Sequence, residues 1–163
     1  MKTGQSTTAF KATGFSEGDY VTAVTSNKPG TVKVTNVNKN GTFKLTAGKK
    51  KGSAVVTVTL ASKKTASFKV TVQKAAVKTT KITTTTKSLT LAKGATYKKL
   101  ASSIAVTPIT SKEKVTYSSS NKKVATVSSK GVIKAKKAGT AKITVKSGSK
   151  KVVVNCKGYR RKE

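Results

Sequence analysis

Apolar and polar residues alternate along most of this chain in short runs. Val56, Val58 and Leu60 share one parity, and Thr57 and Thr59 take the other. Phe68, Val70 and Val72 alternate in the same way with Lys69 and Thr71. Period-two alternation sends one set of side chains to a buried face and the other to water, the signature of a half-buried strand. The pattern predicts strands at 7–11, 20–25, 31–36, 42–46, 54–60 and 66–72. A second series follows at 88–91, 97–99, 115–118, 124–127, 132–134, 141–146 and 151–156. Asn40-Gly41 and Lys130-Gly131 lie between apolar runs and predict hairpins. No segment carries a convincing helical stripe; 100–106 predicts one short turn at most. Residues 79–87 have low complexity and read equally as a linker or as an extended strand. Many short strands at this spacing predict an all-β fold, a sandwich or a barrel.

The chain also repeats itself. Ser26-Asn27-Lys28 recurs as Ser120-Asn121-Lys122, and the run 38–43 recurs as 128–133. Gly52-Ser53-Ala54-Val55-Val56-Thr57-Val58 recurs as Gly139-Thr140-Ala141-Lys142-Ile143-Thr144-Val145. Offsets of roughly 90 residues mean two domains rather than a short-period solenoid. The expected division is 1–76, 77–158 and a basic tail at 159–163.

Composition removes most enzyme classes. The chain has 35 Lys+Arg against 4 Asp+Glu, a formal charge of +31, and no histidine. Without histidine there is no Ser-His-Asp or Cys-His triad and no imidazole metal ligand. Glu17, Asp19, Glu113 and Glu163 supply few carboxylates for acid–base pairs or cation cages. Cys156 stands alone, so it closes no intrachain disulfide. Catalytic residues, cofactors and metal sites are therefore all expected to be none. No window approaches the ~18 apolar residues of a membrane span, and residues 1–20 lack the apolar core of a signal peptide.

The run Val115-Thr116-Tyr117-Ser118-Ser119-Ser120-Asn121, then Val124-Ala125-Thr126-Val127, a Gly131 turn, and Ala138-Gly139-Thr140-Ala141 resembles the group 2 bacterial immunoglobulin-like domain. The likeness runs from about 83 to 157, including a Lys93-Gly94 turn. The first copy diverges. Ala23 stands where the second copy has Tyr117, and Pro29-Gly30 interrupts the middle. Gly4 is its counterpart of Gly94, so its first strand is missing, which implies a chain cut from a longer protein with neighbouring domains. The resemblance implies two tandem immunoglobulin-like Greek-key β-sandwiches, the first with an open sheet edge. It implies a non-catalytic spacer or adhesion module, extracellular or on a bacterial cell surface.

The remaining residues have plain readings. Glu17 and Asp19 could form half of a calcium site, but a polar loop is the better reading. Glu113 is expected at the surface among lysines; a Lys–Asn isopeptide role for it is the less favoured idea. Cys156 continues the parity of Val152 and Val154 and reads as a small core residue. Tyr117 reads as packing between the sheets. Gly48-Lys49-Lys50-Lys51-Gly52 lacks phosphate-loop spacing and reads as a basic hairpin tip.

The lysines carry the functional expectation. Candidate polyanion contacts are Lys49, Lys50, Lys51, Lys63, Lys64, Lys122, Lys123, Lys136, Lys137, Lys150, Lys151, Arg160 and Arg161. Partners of matching charge are an anionic cell-wall polymer or a host glycan, with nonspecific nucleic acid as the alternative. Two arginines and eight aromatic residues leave few groups for reading bases.

Overall fold

The computed structural model describes residues 1–160. It divides into two compact units: Met1–Val77 with Ile109–Ser111, and Lys78–Pro108 with the chain from Lys112 onward. Both are built from strands, as the β-branched composition and alternation require.

Unit 1 contains β1 (Ser6–Thr7), β2 (Val21–Ser26), β3 (Val32–Thr35), β4 (Lys44–Ala47), β5 (Gly52–Leu60) and β6 (Thr65–Val72). They form two antiparallel sheets, β2-β5-β6 and β1-β4-β3. Ala54, Val56 and Val58 point inward from β5, and Leu45 and Ala47 point inward from β4. Val21, Val32, Phe43, Val70 and Val72 complete the core. Each fully buried Val or Leu contributes ~1.5–3 kcal/mol of burial free energy, offset by ordering entropy.

Unit 2 contains β7 (Lys81–Thr84), β8 (Ser88–Ala92), β9 (Thr96–Tyr97), β10 (Ile104–Thr107), β11 (Val115–Ser119), β12 (Ala125–Val127), β13 (Ile133–Ala135), β14 (Gly139–Ser147) and β15 (Lys150–Tyr159). Its sheets are β11-β14-β15-β8, β12-β13-β9 and the pair β10-β7. Strand β8 runs parallel to β15, from Ser88 opposite Asn155 to Ala92 opposite Tyr159. The core gathers Leu100, Ile133, Ile143, Val145, Val154 and Cys156.

The predicted strands are present with shifted ends, except that the first shrinks to Ser6–Thr7 plus a bridge from Lys11 to Thr42. The low-complexity stretch yields a strand, β7, whose Ile82 reaches the core. The expected short turn is a single 3-10 turn at Ala101–Ser103, followed by strand β10, which the pattern does not predict.

Turn chemistry explains two glycines. Gly41 and Gly131 have φ of 86° and 75°, which side-chain-bearing residues rarely adopt. Each donates its N–H three residues back, to Asn38 and Ser128. Both loops are longer than two-residue hairpin turns, because β4 begins at Lys44 and β13 at Ile133.

The three-residue repeat is one position out of step with the structure. Asn27 and Ser120 hold matching places. Their N–H groups bond the carbonyls of Val55 and Lys142, and their side chains accept the N–H of those same residues. A local match of three residues cannot sense this, because the ladder to the next strand sets the register.

Candidate polyanion-contact surface

Four of the five adjacent-lysine clusters fall between strands. Lys49, Lys50 and Lys51 lie between β4 and β5, and Lys63 and Lys64 between β5 and β6. In unit 2, Lys122 and Lys123 lie between β11 and β12, and Lys136 and Lys137 between β13 and β14. Lys150 and Lys151 open β15, and Arg160 follows it. All twelve are exposed; Arg161 lies outside the described residues.

The structure gathers only some of them. The Lys136 and Lys137 N–H groups both bond the Val124 carbonyl, and Gly139 pairs with Gly158. Lys122, Lys123, Lys136, Lys137 and Arg160 therefore share one end of unit 2. Lys150 and Lys151 sit at the other end, because the nine-residue β14 separates them by about 27 Å at ~3.4 Å per residue. Unit 1 repeats this, with Lys49–51 and Lys63–64 at opposite ends of the nine-residue β5.

A second basic feature lies on the outer sheet face of unit 2. A shallow groove of ≈ 510 Å³ runs past Ser88, Thr90, Ser120, Thr140, Lys142, Asn155 and Lys157. The ladders place these side by side: Lys142 is opposite Asn155, Thr140 is opposite Lys157, Asn155 faces Ser88 and Lys157 faces Thr90. Neighbouring strands are ~4.8 Å apart, so two ammonium groups, an amide and several hydroxyls occupy one shelf. Alternation turns Ala141 and Cys156 inward and leaves the exposed Thr140, Lys142, Asn155 and Lys157 side chains outward. Ser120 Oγ accepts the Lys142 N–H at 2.9 Å and fixes one rim. Lysine ammonium groups and hydroxyls suit anionic oxygens, as point charges supported by hydrogen bonds. The sequence reading missed this shelf because it sought adjacent lysines. On a strand, residues sharing a face are two apart, and here the ladder brings Lys142 and Lys157 onto one face diagonally, opposite Asn155 and Thr140.

The acidic residues have structural partners. Asp19 accepts the Ser62 hydroxyl at 2.6 Å and the backbone N–H groups of Ser62 and Tyr20. It ties the β5–β6 turn to the chain before β2, and the Ser62 hydroxyl bond is the main cause of its lowered pKa. Glu17 is exposed, and no group of three or more His, Cys, Asp or Glu that could hold a metal occurs among the described residues.

Glu113 accepts the Thr79 N–H at 2.6 Å, and this bond is the main cause of its lowered pKa. Thr79 Oγ1 in turn lies 2.8 Å from the buried Ser147 Oγ. A carboxyl whose pKa is depressed by folding contributes stability while ionised, and that contribution is lost as pH falls through the folded-state pKa. Glu113→Gln is therefore expected to lower the melting temperature at neutral pH. The gap to the parent should close as pH falls below about 4, near the ordinary carboxylate pKa. Thermal melts from pH 7 to 3 check this, and a gap that persists at pH 3 assigns the effect to shape rather than charge.

Cys156 is 1% exposed, and burial pushes its thiol pKa up, as for a core residue. Tyr117 is partly buried against the unit 2 core, with its ring over Gly131.

The comparisons with known proteins now bear on unit 2. The family model for the bacterial Ig-like domain (group 2) matches residues 78–156. Unit 2 is a bacterial Ig-like domain. A 38-residue stretch of the chain is 68% identical to a kappa-carrageenase of Pseudoalteromonas carrageenovora, covering 23% of this chain and 10% of that protein. The surface layer protein SbsC (domains 1-6) is 24% identical over 89% of this chain and 20% of its own, with a TM-score of 0.45. A bacterial Ig-like domain-containing GH10 xylanase from termite gut is 22% identical over 47% of this chain and 20% of its own, with a TM-score of 0.38. The chain thus spans a small fraction of each. Among the described residues of the Ig-like domain and of unit 1, no helix is long and apolar enough to cross a membrane.

Proposed function

We propose that this chain is a non-catalytic module of a bacterial extracellular or cell-surface protein, and that its Ig-like domain rests against an anionic polysaccharide through the Lys142–Lys157 shelf. The observation that carries this is the shelf itself, where two exposed lysines stand beside Asn155, Thr140, Ser88 and Thr90 on one flat sheet face. The family match supports a modular, non-enzymatic role. The short identity to a protein named as a carrageenase supports a polysaccharide setting. The lysine-rich turns add long-range attraction that salt weakens, while hydroxyl and amide contacts on the shelf persist.

Binding to a sulfated galactan, an uncharged galactan and duplex DNA, each at ~50 and ~150 mM salt, tests this. The sulfated polymer is expected to bind at both salts and the uncharged one weakly. The Lys142→Ser/Lys157→Ser pair should weaken sulfated-polymer binding about tenfold, equivalent to ~1.4 kcal/mol. A double variant that binds unchanged, or DNA binding that matches the glycan at both salts, leaves diffuse charge as the whole explanation.

A further inference from the structure

The outer face of sheet β11-β14-β15-β8 continues past the shelf. Beyond Lys142 and Asn155, the ladders set Ser118, Thr144 and Val153 in one row and Thr116, Lys146 and Lys151 in the next. These residues take the outward parity, since Ile143, Val145, Ser147 and Val154 beside them turn inward and are buried. Thr116, Lys146 and Lys151 are exposed, and Val153 is 40% exposed.

Two features set this end of the face apart from ordinary surface charge. Lys146 stands directly opposite Lys151, which puts their Cβ atoms ~4.5–5.5 Å apart, and like charges so placed destabilise a sheet. The other lysines of the same ladder face uncharged residues: Lys142 faces Asn155, Lys150 faces Ser147 and Lys157 faces Thr140. None of the outward residues around the Lys146–Lys151 pair is acidic, and Glu113, just before β11, accepts the Thr79 N–H. An anionic group seated between the two ammonium groups turns their repulsion into two charge-assisted contacts. The second feature is the row of Ser118, Thr144 and Val153, which carries no charge and separates this pair from the shelf.

We infer that Lys146 and Lys151 form a second anion position for the polysaccharide, and that the polymer lies along β14 and β15 rather than across the sheet. This rests on the shelf reading and adds to it a direction and a length. From Lys151 to Lys157 the strand runs ~20 Å at ~3.4 Å per residue. A polymer along it meets the Lys146–Lys151 pair, then Thr144 and Val153, then Lys142 and Lys157. A polymer crossing the strands meets only hydroxyls beyond Lys142 and Asn155, because that row ends at Ser120 on one side and Ser88 on the other. The ligand class is therefore a sugar chain with anionic groups at both ends of a ~20 Å stretch and an uncharged face between them. Val153 supports that face by apolar contact, which removes both surfaces from water.

Sulfated galactan fragments of two sizes, too short to span ~20 Å and longer than it, titrated against the full chain test this. At ~150 mM salt, where distant charges are screened, Lys146→Ser/Lys151→Ser should weaken the long fragments about tenfold. It should leave the short ones, which the shelf alone holds, unchanged, whereas Lys142→Ser/Lys157→Ser weakens both. Lys33→Ser/Lys69→Ser removes the same charge from exposed sites of unit 1 and should weaken the long fragments less than about twofold. Lys151→Glu gives a second reading. It places opposite charges across the ladder, so the domain should melt higher while long-fragment binding falls. Long-fragment binding that Lys146→Ser/Lys151→Ser leaves unchanged, or that Lys33→Ser/Lys69→Ser weakens as much, overturns the proposal, as does a Lys151→Glu chain that melts lower. Loss in the Lys142/Lys157 variant alone keeps the shelf and removes the direction; loss in neither variant removes both.

Discussion

Gly41→Ala is expected to lower the melting temperature of unit 1 by roughly 10 °C or more, given ~4–8 °C per kcal/mol for a domain of this size. Two effects add. The φ of 86° belongs to the left-handed region, where a side chain costs ~1–3 kcal/mol. A Cβ there would also overlap the Ala12 carbonyl oxygen and stand 2.9 Å from Phe15 Cζ. The Ala12 N–H bonds the Gly41 carbonyl, so the two backbones are held together and neither yields without breaking that bond. Overpacking of this kind adds a further ~1–3 kcal/mol. Gly18→Ala separates the terms, because Gly18 has φ of 77° but no atom within 4 Å of its added Cβ. It should cost only the conformational share, ~1–3 kcal/mol. Equal shifts for the two variants in calorimetry would show that the segment from Phe10 to Phe15 does not press against Gly41.

Ile143→Ala should be the corresponding failure of the Ig-like domain. Ile143 is fully buried at the middle of β14, paired with Ser119 on one side and Val154 on the other. Removing three carbons there loses transfer free energy and leaves a cavity, together ~2–5 kcal/mol, whereas Ile143→Val should cost ~0.5–1.5. Its neighbour Lys142 points outward, so Lys142→Ala should change stability by no more than ~0.5 kcal/mol. Urea midpoints of the three variants check the ranking. An Ile143→Ala cost below that of Lys142→Ala would contradict the assigned faces of β14. The same contrast shows that shelf substitutions can weaken polymer binding without unfolding the domain.

The strands were legible because the alternation is local. Val56, Val58 and Leu60 announce β5 without any knowledge of its partners. The motif around Tyr117 and Gly131 announced the Ig-like domain for a similar reason, since its turns and core positions follow each other closely. Strand β7 was ambiguous because Ile82 is the one large apolar residue in a run of Thr and Lys, and only its docking on the core resolves it. The gathering of Phe10, Phe15, Phe43 and Phe68 at the unit 1 core could not be read, because they are scattered in sequence. The shelf was hidden by pairing, since only the β14–β15 ladder puts Lys142 and Lys157 on one face, opposite Asn155 and Thr140. Glu113 was expected at the surface among lysines, yet its oxygen caps the Thr79 N–H, a contact between loops that leaves no periodic trace.

The parallel pairing of β8 with β15 also decides how the Ig-like domain bears tension. These strands lie near the two ends of that domain and point the same way, so a pull on its termini slides one along the other. The five residue pairs from Ser88–Asn155 to Ala92–Tyr159 then carry the load together in shear, instead of parting one at a time as an end-loaded antiparallel hairpin does.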